Sequence, residues 1–326
     1  MPDDVEIRAL RSDDERQVRA LLAASLGAVD DADYARFYRW KHHDNPFGAS
    51  PGWVAVAGGA IVGLRVFLRW EFLADGEVTR AVRAVDTATH ADHRGKGIFR
   101  RLTLHGCEQL AADGTRFVFN TPNDASRPGY LSMGWEEVGR LPTAIRLRSP
   151  RGALRTLRSR TAADRGSLPT DVGAPAASVL ADTAEVEELL TRLPAIPGLT
   201  TRRHAPYLQW RYGAEWLHYR VLLRTDRLAD GALVFRLRRR GRARELVVNE
   251  LLAPLDATEE VGGLVTRALR ATEADHAIAI ARPGSFDASL APPGRGPVLG
   301  WRDLVGGQPR PPLEDWSLGM GDVELF

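Results

Sequence analysis

Cysteine, lysine and long apolar runs are scarce in this sequence of 326 residues. Because Cys107 is the only cysteine, no disulfide can form within the chain, and a reducing compartment is expected. No run approaches the roughly 20 apolar residues of a membrane-spanning helix, and the N-terminus lacks the basic-then-apolar pattern of a signal peptide. We therefore expect a cytoplasmic protein without a membrane span.

The sequence also has little net charge, with a formal value of only +2 at pH 7. A balance this small gives no reason to expect a nucleic-acid partner. The apolar share of 44% is sufficient for sizeable cores, and at roughly 150 residues per domain the length suggests about two domains. Neither figure indicates an oligomeric state.

Strand-like and helix-like patterns alternate along the first half of the chain. Residues 5–10 read as a strand, and Ser12 with Glu15 predicts a capped helix after it. The stretch GWVAVAGGAIVGLRVFLRWEF predicts a hairpin that turns near Gly58. Such alternation indicates an α/β (α+β) fold of mixed sheets with flanking helices.

A composition change divides the chain. Residues 148–175 are rich in Arg, Gly, Pro and Ser, which predicts a linker between domains at 1–147 and 176–326. The alternative is that its arginines bind an anionic surface or partner.

The second half of the chain echoes the first. FYRWKH at 37–42 is similar to YLQWRY at 207–212, and Gly134-Trp135 has a counterpart in Gly300-Trp301. Two copies of one unit are therefore expected, with chance similarity of aromatic-rich helices as the alternative.

A glycine loop with basic neighbours follows the strand-like stretch RAVRAVDTATH. In DHRGKGIF, Lys96 stands between two glycines, and a helix-like pattern begins at Ile98. Glycine lets a ligand approach the backbone, and a helix start offers free N–H groups and a positive dipole end. This combination predicts a phosphate site. In the second copy Glu259 and Glu260 stand at the corresponding place, where they would repel a pyrophosphate, so one ligand per chain is expected.

The loop and a second motif together resemble the GCN5-related N-acetyltransferase (GNAT) superfamily over about residues 5–145. The loop pattern is met by Asp92, Gly95 and Gly97, although Asp92 stands where Gln or Arg is usual. The second motif consists of Asn123, Tyr130, Gly134 and Trp135. The duplicated layout is similar to tandem acetyltransferases with a degenerate second copy, such as the enhanced-intracellular-survival type.

This resemblance implies an enzyme that transfers an acetyl group from acetyl-CoA, as co-substrate, to a primary amine of a small acceptor. Loop and helix N–H groups would bind the pyrophosphate, and the preceding strand would pair with the pantetheine arm. Tyr130 would protonate the departing thiolate, and Asp86 or His90 would accept the proton of the amine. The implied cofactor-binding residues are Thr87, Ala88, Thr89, Arg94, Gly95, Lys96, Gly97, Ile98, Phe99, Arg100 and Asn123.

The residues leave other interpretations open. Tyr130 could be a core aromatic residue, Asp86 an exposed strand carboxylate, and Cys107 a small core residue. No metal site is expected at His42 and His43, because no further ligands cluster with them. Other possible functions are a non-catalytic acyl-CoA-binding or assembly protein and an aminoacyl-tRNA-dependent transferase, which would not need the glycine loop.

The C-terminal stretch PLEDWSLGMGDVELF carries several large apolar residues after a proline cluster. We expect it to pair as a strand or to pack in the cleft between the two copies. In the tandem enzymes that the chain resembles, the terminal carboxylate approaches the active site, which would make the carboxylate of Phe326 a competitor of Asp86. The alternative is a tail that completes the second sheet.

Overall fold

The computed structural model describes residues 5–27, 29–159, 161–281 and 296–324. Its first elements are β1 (Glu6–Ala9), α1 (Glu15–Leu26), α2 (Ala32–His42), β2 (Gly52–Ala57), β3 (Ala60–Ala74), β4 (Glu77–Thr89), α3 (Ile98–Ala112), β5 (Phe117–Asn120), α4 (Arg127–Leu131), β6 (Glu136–Arg140), β7 (Thr143–Leu147) and α5 (Pro150–Arg158). The remaining elements are β8 (Ala174–Pro175), α6 (Ala176–Val179), α7 (Thr183–Arg192), β9 (Leu199–Thr201), α8 (Ala205–Tyr212), β10 (Arg220–Leu223), β11 (Ala232–Arg240), β12 (Ala243–Leu252), α9 (Thr258–Ala271), β13 (His276–Ile280), β14 (Val298–Asp303), β15 (Trp316–Ser317) and α10 (Met320–Val323).

The chain forms two compact units, residues 1–139 with 298–312 and residues 140–297 with 313–326. Each unit contains a mixed sheet, so the α/β class expected from the sequence is confirmed. The unit boundaries differ from the predicted ones, because β14 pairs with β5 in the first unit and β7 pairs with β13 in the second. The stretch predicted to be a linker contains α5. Pairing between strands so far apart in sequence leaves no local signal.

In the first unit the strand order is β1-β2-β3-β4-β5-β14-β6. The hairpin of β2 and β3 is confirmed, and both glycines at its turn have positive φ. Side chains of β3 alternate between two cores, one under α3 and one under α1 and α2. Gly106 of α3 permits close packing, since a Cβ there would lie 2.7 Å from the ring of Phe67.

One sequence prediction in the first unit is wrong. Ser12 does not cap α1, because it lies in a 3-10 turn that precedes the helix. Asp14 stands at the N-cap position of α1 but makes no side-chain hydrogen bond to that helix. Its carboxylate instead accepts a hydrogen bond from the backbone N–H of Arg11, before the 3-10 turn, at 2.8 Å. The same carboxylate pairs with the guanidinium of Arg8 at 2.6 Å, a partner that local sequence does not reveal.

The second unit has the strand order β7-β13-β12-β11-β10-β8. In its tail Trp316 and Ser317 form β15, which pairs in parallel with β9, and the chain then turns into α10 rather than remaining extended. Leu318 is buried. Phe326, whose carboxylate was considered as a base, lies outside the described residues.

Candidate active site

The glycine loop precedes α3 as the sequence predicts. Gly95 and Gly97 have φ values of +76° and +74°, which side chains adopt only under strain. Helix α3 begins at Ile98 and has no acidic residue in its first turn. The N–H groups of that turn have no acceptor within the helix, and the dipole adds positive potential. This end of α3 therefore suits an anion.

A cavity of about 360 Å³ lies beside the loop. It is lined by Thr89, His93, Arg94, Gly95, Gly97, Ile98, Phe99, Arg100, Gly129, Ser132 and Met133. Seven residues implied by the family resemblance are thus brought together here. The guanidinium of Arg100 also donates to the carbonyl of Ser132 at 2.8 Å, which ties α3 to the segment after α4.

Among the described residues, the edge of β4 that faces β5 is unpaired beyond Arg83. The parallel pairing joins Ala81, Val82 and Arg83 to β5. In the described sheet the segment from Ala84 to Thr89 pairs only with β3. This segment carries the implied residues Thr87 and Ala88 and leads into the cavity at Thr89. Its backbone groups are available to an extended ligand, as at any open sheet edge.

Asn123 has a local partner. Its side-chain oxygen accepts a hydrogen bond from the backbone N–H of Ser126 at 2.9 Å. The carbonyl of Asn123 also accepts from the N–H of Arg127 at 2.9 Å. Asn123 thus shapes the turn before α4, and its contact with a cofactor stays a prediction.

Tyr130 lies in α4 and is 5% exposed, and its ring packs edge-on at 5.6 Å against that of Phe99, which lines the cavity. Its hydroxyl oxygen accepts a hydrogen bond from Nη1 of Arg65 at 2.8 Å. A guanidinium can only donate, so the hydroxyl proton of Tyr130 is left for another acceptor. Within the described ranges the hydroxyl of Tyr130 makes no other hydrogen bond. Arg65 itself is 0% exposed, and its Nε and Nη2 atoms have no hydrogen-bond partner among the residues that the structure describes.

Asp86 occupies a bulge in β4. Arg65 pairs with Thr87 and Val66 pairs with Val85, so Asp86 has no partner in β3, and its φ is +27°. The bulge turns the carboxylate toward the end of α2. There it contacts Nζ of Lys41 at 2.9 Å.

His42, next to Lys41, also binds the Asp86 carboxylate, with 2.7 Å between Nε2 and Oδ2. Burial would raise the pKa of Asp86, but the charge of Lys41 and the hydrogen bond from His42 outweigh it and hold this pKa well below its usual range. Burial lowers the pKa of His42, against the opposing effect of Asp86. The Asp86 carboxylate is therefore ionised, and the imidazole of His42 beside it is neutral. Asp86 is a weak proton acceptor in this setting, and its role as base stays a prediction.

Several residues of this site were missed by sequence reasoning. Arg65 stands within the apolar stretch IVGLRVFLRW, where a buried arginine could have been noticed. His42 was considered only as a metal ligand. The described residues contain no group of three or more metal-binding side chains. His90, the alternative base, is exposed, and its Nδ1 accepts from the N–H of Asp92 at 3.4 Å.

The corresponding helix start in the second unit is acidic. Glu259 and Glu260 lie in the first turn of α9, and Glu260 pairs with Arg224 at 2.5 Å. Negative charge here opposes anion binding. In the parts of the chain that the structure describes, no helix is both long and apolar enough to cross a membrane.

Comparisons with known proteins agree with this geometry. Residues 6–138 match the profile of the acetyltransferase (GNAT) domain family. A search of curated protein sequences found no significant match. The match of residues 6–138 covers less than half of the chain, and it identifies this stretch as similar to the acetyltransferase (GNAT) domain family.

Solved structures are similar over nearly the whole chain. A GCN5-related N-acetyltransferase from Kribbella flavida has 18% identity and a TM-score of 0.62, with 93% of this chain and 72% of that one covered. A GCN5-related N-acetyltransferase from Anabaena variabilis has 12% identity, a TM-score of 0.60 and coverage of 92% and 73%. Eis1 from Mycobacterium abscessus has 16% identity, a TM-score of 0.57 and coverage of 92% and 73%. Similarity at these identities concerns the fold.

Proposed function

We propose that this protein is an acetyl-CoA-dependent N-acetyltransferase that acts on a primary amine in the cytoplasm. The observation that carries the proposal is one continuous track in the first unit. It runs from the anion-binding start of α3, through the cavity, to the unpaired edge of β4. The match of residues 6–138 to the acetyltransferase (GNAT) domain family supports the same activity.

Acetyl-CoA would lie along this track. Its pyrophosphate would accept hydrogen bonds from the N–H groups at the start of α3, with Arg94 and Arg100 nearby as cations. Its pantetheine arm would pair with the edge of β4 at residues 87–89 as an added strand. A backbone N–H of the same edge would donate to the thioester oxygen as negative charge develops there.

Tyr130 would act as the general acid. The amine attacks the thioester carbon, the new C–N bond forms, and the C–S bond breaks. Tyr130 gives its proton to the leaving thiolate, which departs as the free thiol of CoA. Arg65 would hold the tyrosine hydroxyl with its proton directed away from the guanidinium, and would stabilise negative charge on the phenol oxygen.

The second unit would be a degenerate copy without its own acetyl-CoA. The two glutamates at the start of α9 support this. A purely CoA-binding protein would not need the Arg65–Tyr130 pair. Burial of the Arg65 charge costs free energy, and a role in catalysis would explain why that charge is present. A transferase that uses aminoacyl-tRNA would not need the glycine loop.

A panel of amines incubated with acetyl-CoA tests the proposal through release of free thiol. We expect turnover with at least one amine and a Tyr130→Phe variant slower by roughly 10²–10⁴-fold, with unchanged CoA affinity. Tyr34→Phe, the same change on a partly exposed tyrosine of α2, serves as the matched control. Absence of turnover with every amine would contradict the activity, and a Tyr130→Phe variant as fast as wild type would contradict the assigned acid.

A further inference from the structure

We infer that Ser50, His42 and Asp86 form a proton relay that removes the proton of the acceptor amine. Ser50 would be the catalytic residue in contact with the amine, and His42 and Asp86 would act through it. This inference rests on the proposed function and adds to it the path that the proton takes.

Hydrogen-bond chemistry fixes the direction of the relay. The ionised carboxylate of Asp86 can only accept, so Nε2 of His42, 2.7 Å away, carries the proton of that bond. A neutral imidazole then has a lone pair at Nδ1. The Ser50 hydroxyl lies 3.1 Å from Nδ1 and must donate to it. The order of donors and acceptors is that of a serine–histidine–aspartate chain.

The surroundings of His42 keep it able to accept a proton. Its neighbours are Asp86 of β4, Lys41 and His43 of α2, and the Tyr38 ring, whose centroid lies 4.6 Å away. Burial and the nearby cations favour neutral imidazole. Once His42 takes a proton, the adjacent Asp86 carboxylate stabilises the imidazolium.

One further carboxylate faces this group from α1. Glu15 lies 3.6 Å from Nε2 of His43. Because His43 stands between them, Glu15 acts on His42 only at longer range.

Access to the relay is by way of Ser50. His42 is 3% exposed and cannot meet a substrate directly. The side chain of Asp86 is 17% exposed, but its low pKa makes it a poor acceptor. Ser50 is half-buried as a residue, and the relay requires that its hydroxyl is the part that meets the amine. Asp86 also directly precedes Thr87, where the edge proposed to hold the thioester begins.

The second unit indicates that the fold does not itself require this series of hydrogen-bonded side chains. Its α8 ends at Tyr212 as α2 ends at His42, and Asn249 stands at the register shift of β12 as Asp86 does in β4. The hydroxyl of Tyr212 donates to Glu250 at 2.9 Å instead. No hydrogen-bond partner is found for either amide atom of Asn249 within the described ranges. A histidine–carboxylate pair at the bulge thus accompanies the unit that has the glycine loop.

The relay moves one proton from the amine, through Ser50, to His42. The attacking amine loses an N–H proton to the oxygen of Ser50 while the hydroxyl proton of Ser50 moves to Nδ1 of His42. Serine ends as it began, and His42 carries the positive charge beside Asp86. The proton returns to solvent by the reverse route after the product leaves.

Substitutions at Ser50 and His42 test the relay in the full chain, with acetyl-CoA and an accepted amine. Ser50→Ala should lower kcat by roughly 10²-fold, whereas Ser50→Thr, which keeps the hydroxyl, should keep most of it. In wild type, kcat/KM should fall as pH drops through the pKa of His42, and His42→Gln should remove this limb. His43→Gln is the matched control on an exposed neighbour and should behave as wild type.

The outcomes separate the two proposals. An inactive wild type refutes the acetyltransferase function. An active wild type with Ser50→Ala equally fast at every pH refutes the relay alone. A readout without turnover is the nitrogen–proton correlation spectrum of His42, identified by its loss in His42→Gln. The Nε2–H tautomer is expected, and an Nδ1–H tautomer would overturn the relay.

Discussion

Replacement of Arg65 by methionine should lower acetyl transfer without lowering stability. Arg65 is 0% exposed. Among the described residues its guanidinium has no acidic partner and lies over the ring of Phe67, 4.6 Å from the centroid. In the described part of the chain, two of its nitrogen atoms have no hydrogen-bond partner. Burial of a charge without an acidic partner is costly, so an apolar side chain of similar size should be tolerated at this position. The hydrogen bond to Tyr130 at 2.8 Å is lost at the same time.

The loss in rate follows from that hydrogen bond. A hydrogen bond that involves a charged group contributes about 1.5–3 kcal/mol. The Arg65–Tyr130 hydrogen bond would contribute this full free energy only when negative charge develops on the oxygen of Tyr130 during proton transfer. Since 1.36 kcal/mol corresponds to a tenfold change in rate, kcat should fall by roughly 10- to 150-fold.

Thiol release, calorimetric CoA binding and thermal unfolding check this prediction together. We expect lower kcat, unchanged CoA affinity and a Tm equal to or above that of wild type. In a Tyr130→Phe background Arg65→Met should cost nothing more, because the two residues act as a pair. A variant with wild-type kcat, or one whose Tm falls along with its activity, would refute the reasoning.

Three further predictions concern stability and the single thiol. Despite its burial Glu245 has a pKa well below its usual range, chiefly through the hydrogen bond from His276. The ionised carboxylate therefore stabilises the folded state above the unfolded pKa of about 4.3, and this stabilisation is lost as pH falls. Glu245→Gln should therefore flatten the acid dependence of Tm, and an unchanged slope would contradict this. Burial raises the pKa of Cys107 to about 11, so a disulfide reagent at neutral pH should detect the thiol only after denaturation. Gly106→Ala should destabilise by about 1–3 kcal/mol through overpacking, whereas Gly262→Ala, where space is open, should stabilise by up to about 1 kcal/mol; denaturant titrations with equal midpoints would contradict both.

Local signals in the sequence were sufficient to predict the glycine loop and the hairpin. Gly95 and Gly97 needed positive φ, and Ile98 opened an apolar helical pattern, so loop and helix start could be predicted together. The turn near Gly58 followed in the same way from its glycine pair. Each of these features is decided by neighbouring residues.

Features that depend on distant pairing could not be predicted. His42 and Asp86 lie 44 residues apart, and only the packing of α2 against the bulge of β4 brings them together. The partner of Tyr130 is Arg65, on a different strand. The placement of β14 in the first unit likewise depends on sheet pairing and not on local propensity.

The central claim is that one acetyl-CoA binds at the start of α3. Titration calorimetry of the intact chain with acetyl-CoA tests it most directly. We predict one site per chain, and loss of binding in Gly97→Glu, because the φ of +74° strains any side chain and the added charge repels the pyrophosphate. Unchanged affinity in a folded Gly97→Glu variant, or two equivalent sites in wild type, would contradict the account.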